Sequence, residues 1–170
     1  MAHPLLPGWF IAVDGTELTQ MNPLVTLWTT GSDNEPIPLF TVTASDDGQG
    51  FAPTGLRVFG HVNIPFWNND RRLRMDFTSG VSYVEIIFGG GTPTLTEVGR
   101  LQVYDSNDIL LAEYVTDPLN AGESELMTMT RGAADIAWAI AFISDGEGSF
   151  GRLDDLSFTA GISAGGKSHD

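Results

Sequence analysis

From residue 24 to residue 159 the chain runs in short blocks of alternating apolar and polar residues, cut at close intervals by glycine, proline and Asx clusters. In Arg72-Leu73-Arg74-Met75-Asp76-Phe77 the leucine, methionine and phenylalanine share one face, with the arginines and aspartate on the other. A period of two is the mark of a strand with one buried face. The same reading predicts strands over Leu24–Thr30, Ile37–Ala44, Leu56–Gly60, Arg72–Phe77, Tyr83–Phe88, Arg100–Tyr104, Ile109–Val115, Glu125–Thr130, Ile136–Ile143 and Phe150–Thr159. Tyr104-Asp105-Ser106-Asn107-Asp108 links two of these as the turn of a hairpin. Ile136–Phe142 carries large residues at even positions and alanine between, as in a central strand with two unequally crowded faces, and Trp138 is expected in the core. A single helical turn near Gly132–Asp135 is the only helix the pattern allows. Many short strands with regular turn signals predict an all-β, two-sheet antiparallel sandwich of jelly-roll type. It occupies residues 14–160, between an apolar arm at 1–13 and a Gly/Ser-rich tail at 161–170.

Charge narrows the partners. The 170 residues hold 22 acidic and 8 basic side chains, a formal charge of −14. Such a surface repels nucleic acid and anionic lipid, and favours divalent cations, neutral ligands or basic partners. Cysteine is absent, which excludes disulfides, thiolate metal sites and thiol nucleophiles. No apolar run approaches the roughly 20 residues of a membrane span. No signal peptide is visible at Met1-Ala2-His3-Pro4, so the expectation is either a cytosolic protein or a mature or trimmed form whose export signal is missing. The three histidines, His3, His61 and His169, are scattered, and no nucleophile elbow accompanies them. A non-enzyme is therefore expected.

Two constellations carry candidate chemistry. Pro65-Phe66-Trp67-Asn68-Asn69-Asp70-Arg71 sets aromatics beside amides, a carboxylate and an arginine, the groups with which proteins stack on and hydrogen-bond to sugars. Phe66, Trp67, Asn68, Asn69, Asp70 and Arg71 are the candidate contact loop. The alternative leaves Phe66 and Trp67 packed beneath the sandwich while Asn68-Asn69-Asp70 makes a turn. Trp28 with the following Thr29–Glu35 has a weaker form of the same character. The second constellation is Asp154-Asp155 in the last strand. Adjacent strand residues point to opposite faces, so the two carboxylates reach one site only if the strand bulges. Asp46-Asp47-Gly48 and Asp145-Gly146-Glu147-Gly148 are acidic too, but read as turns. Gly89-Gly90-Gly91 lacks the helix and lysine of a phosphate cradle and reads as a loop at the rim.

The order of features has a family likeness. It runs through Gly15-Thr16, Val25-Thr26-Leu27, Phe59-Gly60, Leu73–Phe77, Val81–Gly90, Leu101–Leu110 and the closing Phe150-Gly151-Arg152-Leu153-Asp154-Asp155-Leu156-Ser157-Phe158. Over residues 14 to 159 this resembles the jelly-roll domains of bacterial exported proteins with PEP-CTERM sorting tails, which are similar to galactose-binding-like and carbohydrate-binding modules. Asp155 stands where that family often has Asn, Asp108 where its hairpin often has Gly, and no sorting tail follows Phe158. The resemblance implies a periplasmic or extracellular binding module for carbohydrate or a cell-surface component. It also implies a structural Ca²⁺ between first and last strands, joining Asp154 and Asp155 to Asp14 or Glu17. The competing expectation is an accessory subunit of a larger assembly, meeting protein neighbours through its arm and sheet surface.

Overall fold

The computed structural model describes residues 14–20, 22–144 and 149–160. The expected arm, the tail and the Asp145–Gly148 patch lie outside the described residues. Nine strands form: β1 (Val25–Thr30), β2 (Val42–Asp46), β3 (Arg57–His61), β4 (Arg72–Gly89), β5 (Gly99–Tyr104), β6 (Leu110–Val115), β7 (Ser124–Thr130), β8 (Ile136–Ile143) and β9 (Arg152–Ala160). No helix occurs among the described residues. The turn expected near Gly132–Asp135 is a bend, clamped by two hydrogen bonds from the Arg131 guanidinium to the Asp135 carboxylate at 3.0 and 2.7 Å.

All pairings between these strands are antiparallel, and β4 organises them. Two of the expected strands, Arg72–Phe77 and Tyr83–Phe88, are one 18-residue strand. Its first half pairs with β1 and β8, and its second half with β7 and β9. The result is two layers joined through one strand: β1-β4-β8-β5-β6 and β2-β3-β9-β4-β7. This is the expected all-β jelly-roll sandwich. The register shift between Asp76 and Val81 marks where β4 passes from one layer to the other. Gly80 sits there, and a Cβ on it would land on the Ala134 carbonyl oxygen.

The core follows from the alternation. Leu27, Leu73, Met75, Leu101, Val103, Ala139 and Ala141 face inward from one layer. They meet Val84, Ile86, Phe88, Met127, Leu153 and Phe158 from the other. Burying each large apolar side chain stabilises the fold by about 1.5–3 kcal/mol. Trp138, Ile140 and Phe142 are also buried, but form a separate cluster on the opposite face of β8. In the middle of β8 the small Ala139 and Ala141 face the interior while Trp138, Ile140 and Phe142 face out.

Two buried acids close one end. Arg152 is fully buried, its Nη2 donating to Asp47 at 3.1 Å and to Gln49 at 2.9 Å. Burial pushes the Asp47 carboxyl up, but its hydrogen bonds and the Arg152 charge more than offset this, so it sits below the usual carboxylate range. Glu97, also buried, accepts from the backbone N–H groups of Gly91 at 2.9 Å and Phe150 at 2.8 Å. The Gly89–Gly91 stretch is therefore a packed seam, with Gly90 bridged to Ala121, and not an open rim loop.

If β4 must bend at Gly80, Gly80→Ala should destabilise the fold by about 1–3 kcal/mol in urea denaturation. Gly132→Ala, with nothing near its Cβ, should change stability by less than about 0.5 kcal/mol. Equal effects would refute the steric account.

Candidate functional site

The outer face of the β1-β4-β8-β5-β6 layer gathers side chains by register. Trp28 lies opposite Arg74 on β4, and Arg74 opposite Ile140 on β8. Asp76 lies opposite Trp138, and Trp138 opposite Tyr104 on β5. The polar face of one strand is thus laid beside the bulky apolar face of the next. The guanidinium carbon of Arg74 stands 3.9 Å from the centroid of the Trp138 ring. Tyr104 stacks on the indole with centroids 3.9 Å apart and planes 3° from parallel. Arg72 covers Phe142 in the same way, at 3.9 Å. Cation–π contacts of this kind contribute about 0.5–2 kcal/mol each, and the arginine stems shield the apolar cluster from water.

Two loops wall this stack. Residues 31–36, following β1, turn back through the bridge of Thr30 with Pro36. Asn34 holds a left-handed backbone with φ of 65°, a conformation Asn tolerates better than most residues. Its side-chain oxygen accepts from Arg72 Nη1 at 2.8 Å, and its carbonyl from Arg74 Nη1 at 3.1 Å. Opposite stands the β5–β6 hairpin, built as expected. The Asp105 carboxylate accepts from the backbone N–H groups of Asn107 and Ile109 at 2.8 and 3.0 Å. Asp108, also left-handed at φ 61°, accepts from the Trp138 indole N–H at 2.9 Å. Between the loops lies a cleft of about 550 Å³, lined by Asp33, Asn34, Glu35, Pro36, Arg74, Tyr104, Asp108 and Trp138. Burial raises the Tyr104 phenol above its usual range, with Glu113 adding to this and Arg72 opposing it. The hydroxyl stays protonated and donates to Gln102 at 2.7 Å.

The contact loop expected from sequence is built differently. Trp67 has 0% exposure, and its indole N–H donates to the Phe59 carbonyl at 2.8 Å. Neither face is open to a ligand, because the ring fills the gap between β3 and the start of β9, where its own backbone N–H meets Gly151 at 2.9 Å. Phe66 lies edge-on to Phe150 at 4.7 Å. The Asn68 side chain accepts from the Asp70 and Arg71 N–H groups at 2.8 and 2.9 Å, making the turn. Asn69 is held by Arg72 Nε on its carbonyl at 2.8 Å, and Arg71 lies over Phe40 at 4.5 Å. Asp70 is exposed at the tip. The segment closes one end of the sandwich, so Trp67 is corrected from contact residue to core. The weaker signal at Thr29–Glu35 marked one wall of the cleft. Trp138 was missed because strand alternation does not say which face of a strand is covered by arginines.

The calcium ligands do not converge. Residues 15–18 bond to the outer edge of β2, and Asp14 accepts from the Asp46 N–H at 2.8 Å. From there to β9 the order is β2, β3, β9, three strand spacings or about 14 Å along the sheet. Ca²⁺ holds its ligands at about 2.3–2.6 Å. Asp14 and Glu17 are therefore corrected as partners of Asp154 and Asp155, and among the described residues no three acidic or histidine groups gather as a metal site. The two aspartates do meet each other. β9 carries one extra residue between the pairs Glu85–Ser157 and Ile87–Asp154, with Asp155 at φ 50°, and the bulge turns both carboxylates to the Thr54 hydroxyl, at 2.7 and 3.1 Å. Burial, with the Asp155 charge adding to it, pushes Asp154 up to about 6 against the pull of the Thr54 hydrogen bond.

No family model and no curated protein matches the chain. Among solved structures it is similar to TmCBM61 in complex with beta-1,4-galactotriose, at 13% identity, over 86% of this chain and 94% of that one, with a TM-score of 0.50. The likeness is one of fold. The K2 cleaved adhesin domain of Lys-gingipain is 14% identical over 78% of this chain and 89% of its own, with a TM-score of 0.48. The K3 cleaved adhesin domain of Lys-gingipain from Porphyromonas gingivalis w83 is 12% identical over 79% and 91%, with a TM-score of 0.44.

Asp154 and His61 give opposite pH slopes. His61 is pushed down to about 4, chiefly by burial and then by the Arg71 charge, so its contribution is lost as pH falls from 6.5 through 4. Asp154, raised from 3.8 to about 6, stabilises at low pH and loses that contribution as pH rises through 6. Asp154→Asn should raise stability near neutral pH by about 1–3 kcal/mol, with the gain vanishing below about pH 4. Denaturation across that range checks it; a gain independent of pH would rule out titration of Asp154.

Proposed function

We propose that this chain is a non-catalytic β-sandwich module that binds carbohydrate in the cleft above the Arg74–Trp138–Tyr104 stack, on a protein working outside the cytoplasm. The observation that carries the reading is the cleft itself. A half-buried tyrosine is held rigid against an indole, above a guanidinium from β4 and between two loops that present an amide and three carboxylates. Rigid apolar carbon flanked by planar hydrogen-bonding groups matches a sugar ring, whose C–H faces are apolar and whose rim is hydroxyls. TmCBM61, a sandwich of similar fold, is seen with beta-1,4-galactotriose. That supports the architecture as a sugar-binding scaffold, while the site assigned to this chain rests on its own residues.

The cleft is prepared before any ligand arrives. Asn34 ties the 31–36 loop to both arginines, and Asp108 ties the hairpin to Trp138. Little side-chain entropy is then left to lose on binding. The cleft lining holds no histidine, serine or lysine, and its titratable groups are Asp33, Glu35, Asp108, Tyr104 and Arg74. His61, the internal histidine, is buried against Phe40 and Trp67 on another part of the molecule.

Tyr104→Ala should abolish retention on a glycan array or lower affinity by about tenfold or more, the worth of one good aromatic contact. Asp70→Ala, at the tip of the 66–71 turn, should leave binding unchanged. Loss of binding in Asp70→Ala with Tyr104→Ala unaffected would place the site on the other loop.

A further inference from the structure

We infer that the cleft selects uncharged, hydroxyl-rich saccharides and excludes uronate-bearing and sulfated glycans. The inference rests on the carbohydrate-binding reading above and names the ligand class of that same site. The walls are rich in acceptors. One oxygen of Asp33 takes the Glu35 N–H at 3.0 Å, and one of Asp108 takes the Trp138 indole at 2.9 Å. The second oxygen of each, and both oxygens of Glu35, have no hydrogen-bond partner among the described residues. Donors are scarce. Arg74 spends its Nε–H on Asp76 at 3.0 Å and one Nη1–H on Asn34 at 3.1 Å, which leaves three of its five N–H groups. Tyr104 spends its hydroxyl on Gln102.

A ligand for such a site must bring donors. Sugar hydroxyls do so, and vicinal pairs suit a carboxylate that accepts through two oxygens. Carboxylate and sulfate groups bring acceptors only, and place like charge beside Asp33, Glu35 and Asp108. The cleft's cation cannot compensate, because Arg74 is paired with Asp76 at 3.0 Å, and the chain as a whole carries −14. A cationic ligand would relieve the acidity but meets two obstacles. Arg74 occupies the floor, and the Trp138 ring has Arg74 over one face and Tyr104 over the other, so no indole face is open to a cation.

The test is an array of neutral, uronate and sulfated oligosaccharides with a polylysine control, probed with the full chain, Tyr104→Ala and Glu35→Lys. Glu35 is exposed and its side chain has no hydrogen bond to lose, so the last variant should melt with the parent. Retention of neutral glycans alone, lost in Tyr104→Ala and insensitive to salt, supports the inference, as does a several-fold gain for acidic probes in Glu35→Lys. Tyr104-dependent retention of uronate or sulfated probes by the parent overturns the ligand class and leaves the binding site standing. Polylysine retained in place of sugars overturns both class and reading. Failure to retain any probe refutes the carbohydrate reading, and the inference with it.

Discussion

Both layers of this sandwich depend on the continuity of β4. A strand of 18 residues is several times longer than one sheet of a small domain requires, and it serves two sheets by turning between them near Gly80. The inward residues Leu73, Met75 and Phe77 line one side of the core before the turn, and Val84, Ile86 and Phe88 line the other after it. Because the backbone is shared, the two layers are joined through β4 itself, across the register shift between Asp76 and Val81. Any shift of β4 along its axis would therefore misregister β1 and β8 in one layer together with β7 and β9 in the other.

The same strand sets the candidate site. Once Leu73 and Met75 face the core, Arg72, Arg74 and Asp76 must face out, beside the bulky outer residues of β8. The arginines cover Phe142 and Trp138, so a sheet surface that would otherwise expose a large apolar patch becomes a firm floor with charged margins. The walls are then held by two left-handed residues, Asn34 and Asp108, whose hydrogen bonds land on that floor. Site and scaffold are continuous: the groups that could meet a ligand also keep the outer face of β8 dry.

Buried charge elsewhere in the sandwich ties loops to strands. Arg152 joins the long β2–β3 connection to β9 through Asp47 and Gln49, and Glu97 gathers the backbone of two loops. Such pairs add little net stability over apolar packing, but breaking one leaves a charge stranded. Asp154 is in that stranded condition already, facing Asp155 across the Thr54 hydroxyl with no cation among the described residues close enough to pair with it.

The amino-acid sequence by itself determined the strands, the β5–β6 hairpin and the all-β class, because alternation and turn chemistry are local properties of consecutive residues. It also held the condition for the Asp154-Asp155 pair, since two adjacent strand residues can meet only through a bulge. What it could not convey was adjacency. The aromatic cluster at Phe66-Trp67 is dense in sequence, yet the indole is drawn into a gap that exists only once β3 and β9 are paired. The Arg74–Trp138–Tyr104 stack comes from three separate strands, and no one of them signals it alone. Likewise Asp14 and Asp154 looked like partners until β2 and β3 came to lie between them. Tertiary structure decided the site because strand order, a long-range property, chooses which polar face lies beside which apolar one.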